Sequence, residues 1–205
     1  MKKLKQSKGV TLMETIVALV VVVFLIVGME AGMNAGMRTY SEAGFQSDSG
    51  TLSSILNSTM ADMLRYANSV RLPVDGAKNV KKYQSKDVFY SSDDDRPLPE
   101  QAFVFTNLEY GIDVIDAYFT ACEDTESEQY GYVQIKNLSS DHAQALVNDG
   151  AYTDDLMLST DEGKKLTVEL VGEDASCFKI HYYIVSKSSD KEKEVTYYVR
   201  RMNDG

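Results

Sequence analysis

Residues 10–29 read Val-Thr-Leu-Met-Glu-Thr-Ile-Val-Ala-Leu-Val-Val-Val-Val-Phe-Leu-Ile-Val-Gly-Met. A bilayer core of roughly 30 Å requires about 20 mostly apolar residues in a helix. This run meets that length and carries one charge, Glu14. A charge inside a membrane segment costs about 2.5–3.5 kcal/mol on insertion scales, so Glu14 calls for a partner or a function. Ahead of the run stand Lys2, Lys3, Lys5 and Lys8, with no acid among them. Such an excess of lysine keeps the N-terminus in the cytoplasm and sends the chain after Met29 outside. A secretory signal is the competing reading, but its apolar core spans only about 7–15 residues and ends at a small-residue cleavage site. No clear Ala-x-Ala site follows here, although Ala31, Ala35 and Gly36 are small.

The stretch Lys8-Gly9-Val10-Thr11-Leu12-Met13-Glu14 resembles the N-terminal motif of type IV prepilins and pseudopilins. That motif is a basic leader ending in glycine, an apolar residue, Thr-Leu, any residue and Glu, followed by a membrane helix. Val10 departs from the commonest residue there, phenylalanine. The likeness covers about the first thirty residues and no more. It implies cleavage between Gly9 and Val10 by a prepilin peptidase, and N-methylation of the new Val10 amine. It implies that Glu14 pairs with the Val10 amine of a neighbouring subunit. The implied partners are other pilin subunits and the assembly platform in the membrane. Glu14-Thr15-Ile16-Val17-Ala18-Leu19 looks more like minor pilins than like abundant major ones. A physical argument stands beside the resemblance: Glu14 lies one helical turn from Val10. In a low-dielectric bundle, a cationic terminus and a carboxylate each relieve the other's burial penalty. The bland alternative leaves Glu14 solvated among lipid headgroups.

The organisation expected is a leader over 1–9, a transmembrane helix over 10–29, an amphipathic continuation over 30–72 and an exported, mostly-β domain over 73–205. No proline precedes Pro73, which biases Leu72 away from helix. Leu52, Ile55, Leu56, Thr59, Met63, Tyr66, Ala67 and Val70 recur at three- and four-residue steps and predict one apolar face. Gly28, Gly32 and Gly36 repeat at four, beside Met29, Met33 and Met37. Small residues at that spacing let membrane helices approach closely; alternatively they only loosen the helix. Ser41 to Gly50 reads as a kink or short break.

Beyond Pro73 the period becomes two. Phe178, Ile180, Tyr182 and Ile184 alternate with Lys179, His181, Tyr183 and Val185. Segments 177–186 and 194–201, around the charged turn Lys187 to Glu194, predict an antiparallel hairpin. Further strands are expected at 102–109, 130–136 and 166–170, and a short helix at 141–148 capped by Ser139 or Ser140. One long helix followed by such strands predicts an α+β fold, a helix packed on an antiparallel sheet.

The chain has 205 residues and a net charge of −10. Four of its 21 basic side chains are the leader lysines, so cleavage would leave 17 against 31 acids, or −14. That balance disfavours nucleic-acid binding, which rests on Lys and Arg neutralising phosphates. Cys122 and Cys177, both on the exported side, permit a disulfide; two separate thiols are the alternative. Asp93-Asp94-Asp95 offers Ca²⁺ oxygens, but adjacent acids point in different directions and read better as a solvated loop. His142 and His181 fall in no catalytic or zinc-binding motif. Asn57-Ser58-Thr59 fits a glycosylation acceptor but lies on the expected helix. No cofactor is implied. The function expected is structural, in a pilus or a secretion pseudopilus; the alternatives are an anchored extracellular adhesin and, with no recognisable catalytic set, an enzyme. The expected location is the cell membrane in a single pass, then an extracellular filament.

Overall fold

The computed structural model describes residues 12–74, 79–84, 104–107, 110, 116–137, 143–153, 155–171 and 177–202. Gly9, Val10, Asp93, Asp94, Asp95 and His142 lie outside them. The fold is α+β: one long helix, α1 (Leu12–Arg65), and two antiparallel sheets. The chain divides into two compact units, Met1–Gln46 and Ser47–Gly205.

Helix α1 runs unbroken for 54 residues. The break expected over 41–50 is absent, and polar side chains in and just after this stretch bond within the helix. Gln46 Nε2 donates to Glu42 Oε1 at 3.0 Å, Thr51 Oγ1 to the Ser47 carbonyl at 3.1 Å, and Ser53 Oγ to the Gly50 carbonyl at 2.9 Å. Serine and threonine hydroxyls can thus sit inside a helix without diverting its backbone bonds.

The helix stops at Arg65, several residues before Pro73. A helix leaves its last four carbonyls without intrahelical donors, and two tertiary donors and one local turn bond meet three of them. Asn107 Nδ2 donates to the Met63 carbonyl at 2.9 Å, the Ala67 amide to Leu64 at 3.2 Å, and the Met202 amide to Arg65 at 2.8 Å. The Asn68 amide then donates to the Thr106 carbonyl at 2.8 Å, and strand β1 (Ser69–Val74) begins. Val70 is buried as expected, but on a strand opposite Tyr83 and Phe105.

In the second unit β1 belongs to a six-stranded sheet with β2 (Asn79–Gln84), β3 (Val104–Thr106), β4 (Ala117–Ala121), β5 (Val133–Asn137) and β6 (Ala143–Ala145). Its order is β2-β1-β3-β4-β5-β6. The segment expected to be a short helix over 141–148 instead supplies β6. Bonding to β5 there, continued by the Leu146 amide on the Val133 carbonyl at 2.8 Å, outweighs a weak local helical preference.

The second sheet is built on β9 (Cys177–Ser186). Strand β10 (Glu192–Arg200) pairs along one edge, forming the expected hairpin. Along the other edge lie β7 (Leu156–Leu158), opposite Ile184–Ser186, and β8 (Thr167–Val171), opposite Cys177–His181. Burial alternates along β9 as the period of two requires: Phe178, Ile180, Tyr182 and Ile184 are fully buried.

Residues 47–65 of α1 pack in this unit through Leu52, Leu56, Met60, Met63 and Leu64. The buried face is rotated from the one expected. Met60 and Leu64 are in the core, Ile55 and Thr59 are half-buried, and Tyr66 is 38% exposed. Tyr182 Oη anchors the helix to β9 by donating to Asn57 Oδ1 at 2.7 Å. That bond occupies the side chain of the glycosylation-like triplet.

The two sheets meet at Gly131. Its amide donates to the Cys122 carbonyl at 2.9 Å, beside β4, and its carbonyl accepts from the Leu158 amide at 2.8 Å on β7. The residue has φ +76, and a Cβ added there would lie 2.6 Å from Met157 Cβ. Only glycine satisfies both conditions without strain.

Candidate functional site: the apolar half of the helix

The chemistry implied by the sequence concentrates at the start of α1. Glu14 stands in its first turn, where a carboxylate is favoured by the positive end of the helix dipole. Next to it, Thr15 Oγ1 donates to the Leu12 carbonyl at 2.7 Å. A threonine that bonds within its own helix presents its methyl group outward. The cleavage pair Gly9 and Val10 lies outside the described residues, so no geometry links it to Glu14.

Four consecutive helical residues step about 100° each and together sample the whole circumference. Val20, Val21, Val22 and Val23 are each about half exposed. No side of this segment is therefore covered by the described residues. The same holds from Leu12 to Val27, and none of the apolar window is buried. Burying one such side chain is worth about 1.5–3 kcal/mol, so a dozen left in water would forgo on the order of 20 kcal/mol. A helix apolar on every side belongs in a bilayer or in a bundle of similar helices. The helix is long and apolar enough, by length and composition, to cross a membrane once.

Gly28, Gly32 and Gly36 continue this helix without interruption. Among the described residues, a Cβ at any of them would meet nothing within 4 Å, so none of those residues needs the space they leave.

The remaining candidates resolve into structural roles or stay apart. Cys122 follows β4 and is buried; Cys177 opens β9 and is half-buried; both carry free thiols. His181 Nε2 lies 3.0 Å from Glu194 Oε1 across the β9–β10 hairpin and edge-on to Tyr183 at 5.0 Å between ring centres. Among the described residues, no group of three or more His, Cys, Asp or Glu side chains is placed to hold a metal.

Two features escaped the sequence. Asp155 ties down the β9–β10 turn: Oδ2 accepts from Ser186 Oγ at 2.7 Å and Oδ1 from the Ser188 amide at 2.9 Å. These bonds hold its carboxyl below the usual carboxylate range. No motif advertises this, because residues 155 and 186 meet only through the β7–β9 pairing. The second is an open cleft of about 630 Å³ beside β6, lined by Gln129, Gln144 and Asn148 among others. Among the described residues its walls offer neutral amides and no charged group.

Comparisons of the chain with protein-family models, with curated proteins and with solved structures return no match.

Proposed function

We propose that the protein is a structural subunit, of the minor type, of a type IV pilus or a type II secretion-like pseudopilus. The reading is supported by one coincidence. The prepilin-like run Gly9-Val10-Thr11-Leu12-Met13-Glu14 is continuous in sequence with a helix whose apolar residues 12–27 none of the described residues buries. In this proposal the leader directs the chain into the membrane with its lysines in the cytoplasm. A prepilin peptidase removes residues 1–9, and the Val10 amine is methylated. The helix then leaves the bilayer for a bundle of like helices, where Glu14 meets the Val10 amine of a neighbour. The exported domain is carried on the filament surface and has no catalytic part in this scheme.

The decisive experiment is N-terminal mass spectrometry of the protein from its native host. The expected chain begins with a methylated Val10, and Gly9→Phe leaves the precursor in the membrane with its lysines attached. Recovery of the filament protein starting at Met1, or at a residue beyond Ala31, removes the basis of the proposal.

A second reading is an anchored binding domain that never enters a filament. The amide-lined cleft is the observation in its favour, since neutral amides suit polar, uncharged ligands. Cleavage after Gly9 separates the two readings.

A further inference from the structure

Exposed edges of a sheet are usually blunted by charge, proline or cover. Strand β2 includes Lys81 and Lys82, β8 includes Glu169, and β10 includes Glu192, Lys193, Glu194 and Arg200. Strand β7 is uncharged, but Gly131 meets its edge through the Leu158 amide. Strand β6, the last of the six-stranded sheet, reads Ala-Gln-Ala and carries neither charge nor proline. The direction of its hydrogen bonds follows from the register. The Leu146 amide donates to the Val133 carbonyl, so Val133 and Leu146 form a hydrogen-bonded pair. Such pairs alternate along an antiparallel ladder. Ile135 with Gln144 is therefore bonded. Ala143 and Ala145, opposite Lys136 and Gln134, turn their N–H and C=O groups away from β5. Among the described residues no backbone group bonds to them on that side. Both alanines line the open cleft of about 630 Å³, so the uncovered edge and the cleft are one place.

We propose that this cleft takes an extended, uncharged segment of a partner polypeptide, which adds a strand to β6 through Ala143 and Ala145. The occupant follows from the groups on offer. An N–H and a C=O repeating at every second residue are complemented by another extended backbone. The alanine methyls leave that backbone room to approach. Three residues span about 10 Å, so the added strand is short. The volume suits a ligand, since such sites run from about 300 to 1,000 Å³. Charge narrows the choice. A charged side chain in the cleft would lose water and find only the neutral amides of Gln129, Gln144 and Asn148 among the described polar side chains there. Lys136 stands opposite Ala143 on β5, and Glu128 precedes Gln129, but neither lines the cleft. The described lining holds no aromatic ring on which a sugar could stack. The contact gives the binding-domain reading a ligand class. It rests on the binding role in that reading, not on the chain staying out of a filament.

The test uses the full chain, extracted in detergent from its native host, and hydrogen exchange resolved to single amides. The probe is the capped peptide acetyl-Thr-Val-Thr-Val-Thr-amide, uncharged and rich in strand-forming residues. At about ten times its measured Kd, exchange at Ala143 and Ala145 should slow about tenfold. Gln144, already bonded to β5, should not change. The same peptide methylated on its backbone nitrogens should have no effect. A peptide with glutamate in place of one valine should bind about tenfold more weakly or worse. Ala145→Pro removes an N–H that faces away from β5, so it should abolish the response and leave the melting temperature unchanged. Equal slowing at Gln144, or an undiminished effect of the methylated peptide, would overturn the backbone pairing. No response to the peptide would overturn it as well, and a response of the cleft to N-acetylglucosamine in its place would make this a sugar site. Slow exchange at both alanines before any peptide is added would show an edge already covered, by a second copy if dilution relieves it, with the same consequence. The N-terminus is determined in the same sample. Alternating protection in a chain that begins at Val10 removes the anchored reading and leaves the contact standing, whereas its absence in a chain that keeps Gly9 sinks the contact alone.

Discussion

Gly131 shows how much one residue can carry. Its backbone bonds reach both sheets, its φ is +76, and Met157 Cβ fills the space where a side chain would start. Gly131→Ala should cost about 2–4 kcal/mol, since left-handed backbone strain and overpacking add. Thermal unfolding of the full chain in detergent should show the loss; an unchanged Tm would mean that the sheets are joined elsewhere. Asp155 makes a pH-dependent contribution. Its folded carboxyl titrates below the unfolded one, held down chiefly by the Ser186 and Ser188 hydrogen bonds. The stability it confers is therefore present above the unfolded pKa of about 3.9 and is lost as pH falls through the folded value. Wild type should melt above Asp155→Asn at neutral pH, and the gap should close in acid below the ordinary carboxylate range. A gap that persists there would show that the carboxylate's charge is not what holds the turn.

The helix face can be tested at the scale of the element. Met60 is fully buried and Tyr66 is 38% exposed, although the sequence pattern favours Tyr66 for the core. Met60→Asp should destabilise the chain by several kcal/mol, because it buries a charge with no partner. Tyr66→Asp should stay within about 1 kcal/mol. Equal losses from the two changes, read by denaturant unfolding, would contradict the face seen here. The mismatch has a simple origin. Period analysis locates a stripe to within about one residue, or 100°, and tyrosine is amphipathic enough to fit either side. The helix ends short of the expected boundary for a related reason. Val70 suits both a helix at steps of three and a buried position on a strand. What stops α1 at Arg65 is the supply of donors from Asn107 and Met202, far along the chain.

For the whole molecule, the outcome turns on Glu14. If it meets the Val10 amine of a neighbour, Glu14→Gln keeps the shape and loses the charge. Breaking such a pair in a low-dielectric bundle costs about 3–5 kcal/mol. In the proposed scheme cleavage comes before assembly, so it should continue, while the ratio of protein in sheared filaments to protein in membranes should fall. A variant incorporated at the wild-type ratio would leave Glu14 as a solvated residue at the membrane surface.

The sequence by itself determined the long helix, the apolar segment at its start, the β9–β10 hairpin and the α+β class. Each rests on local physics: an unbroken apolar run, the absence of proline before Pro73, and strict alternation through Phe178, Ile180, Tyr182 and Ile184. The tertiary structure alone decided where the helix ends, which way its face turns, that 143–145 is strand, and that Gly131 and Asp155 hold distant segments together. These depend on hydrogen bonds and packing between separate segments, from about ten residues apart at β5 and β6 to more than a hundred at Arg65 and Met202, and such contacts leave no period in the sequence to read.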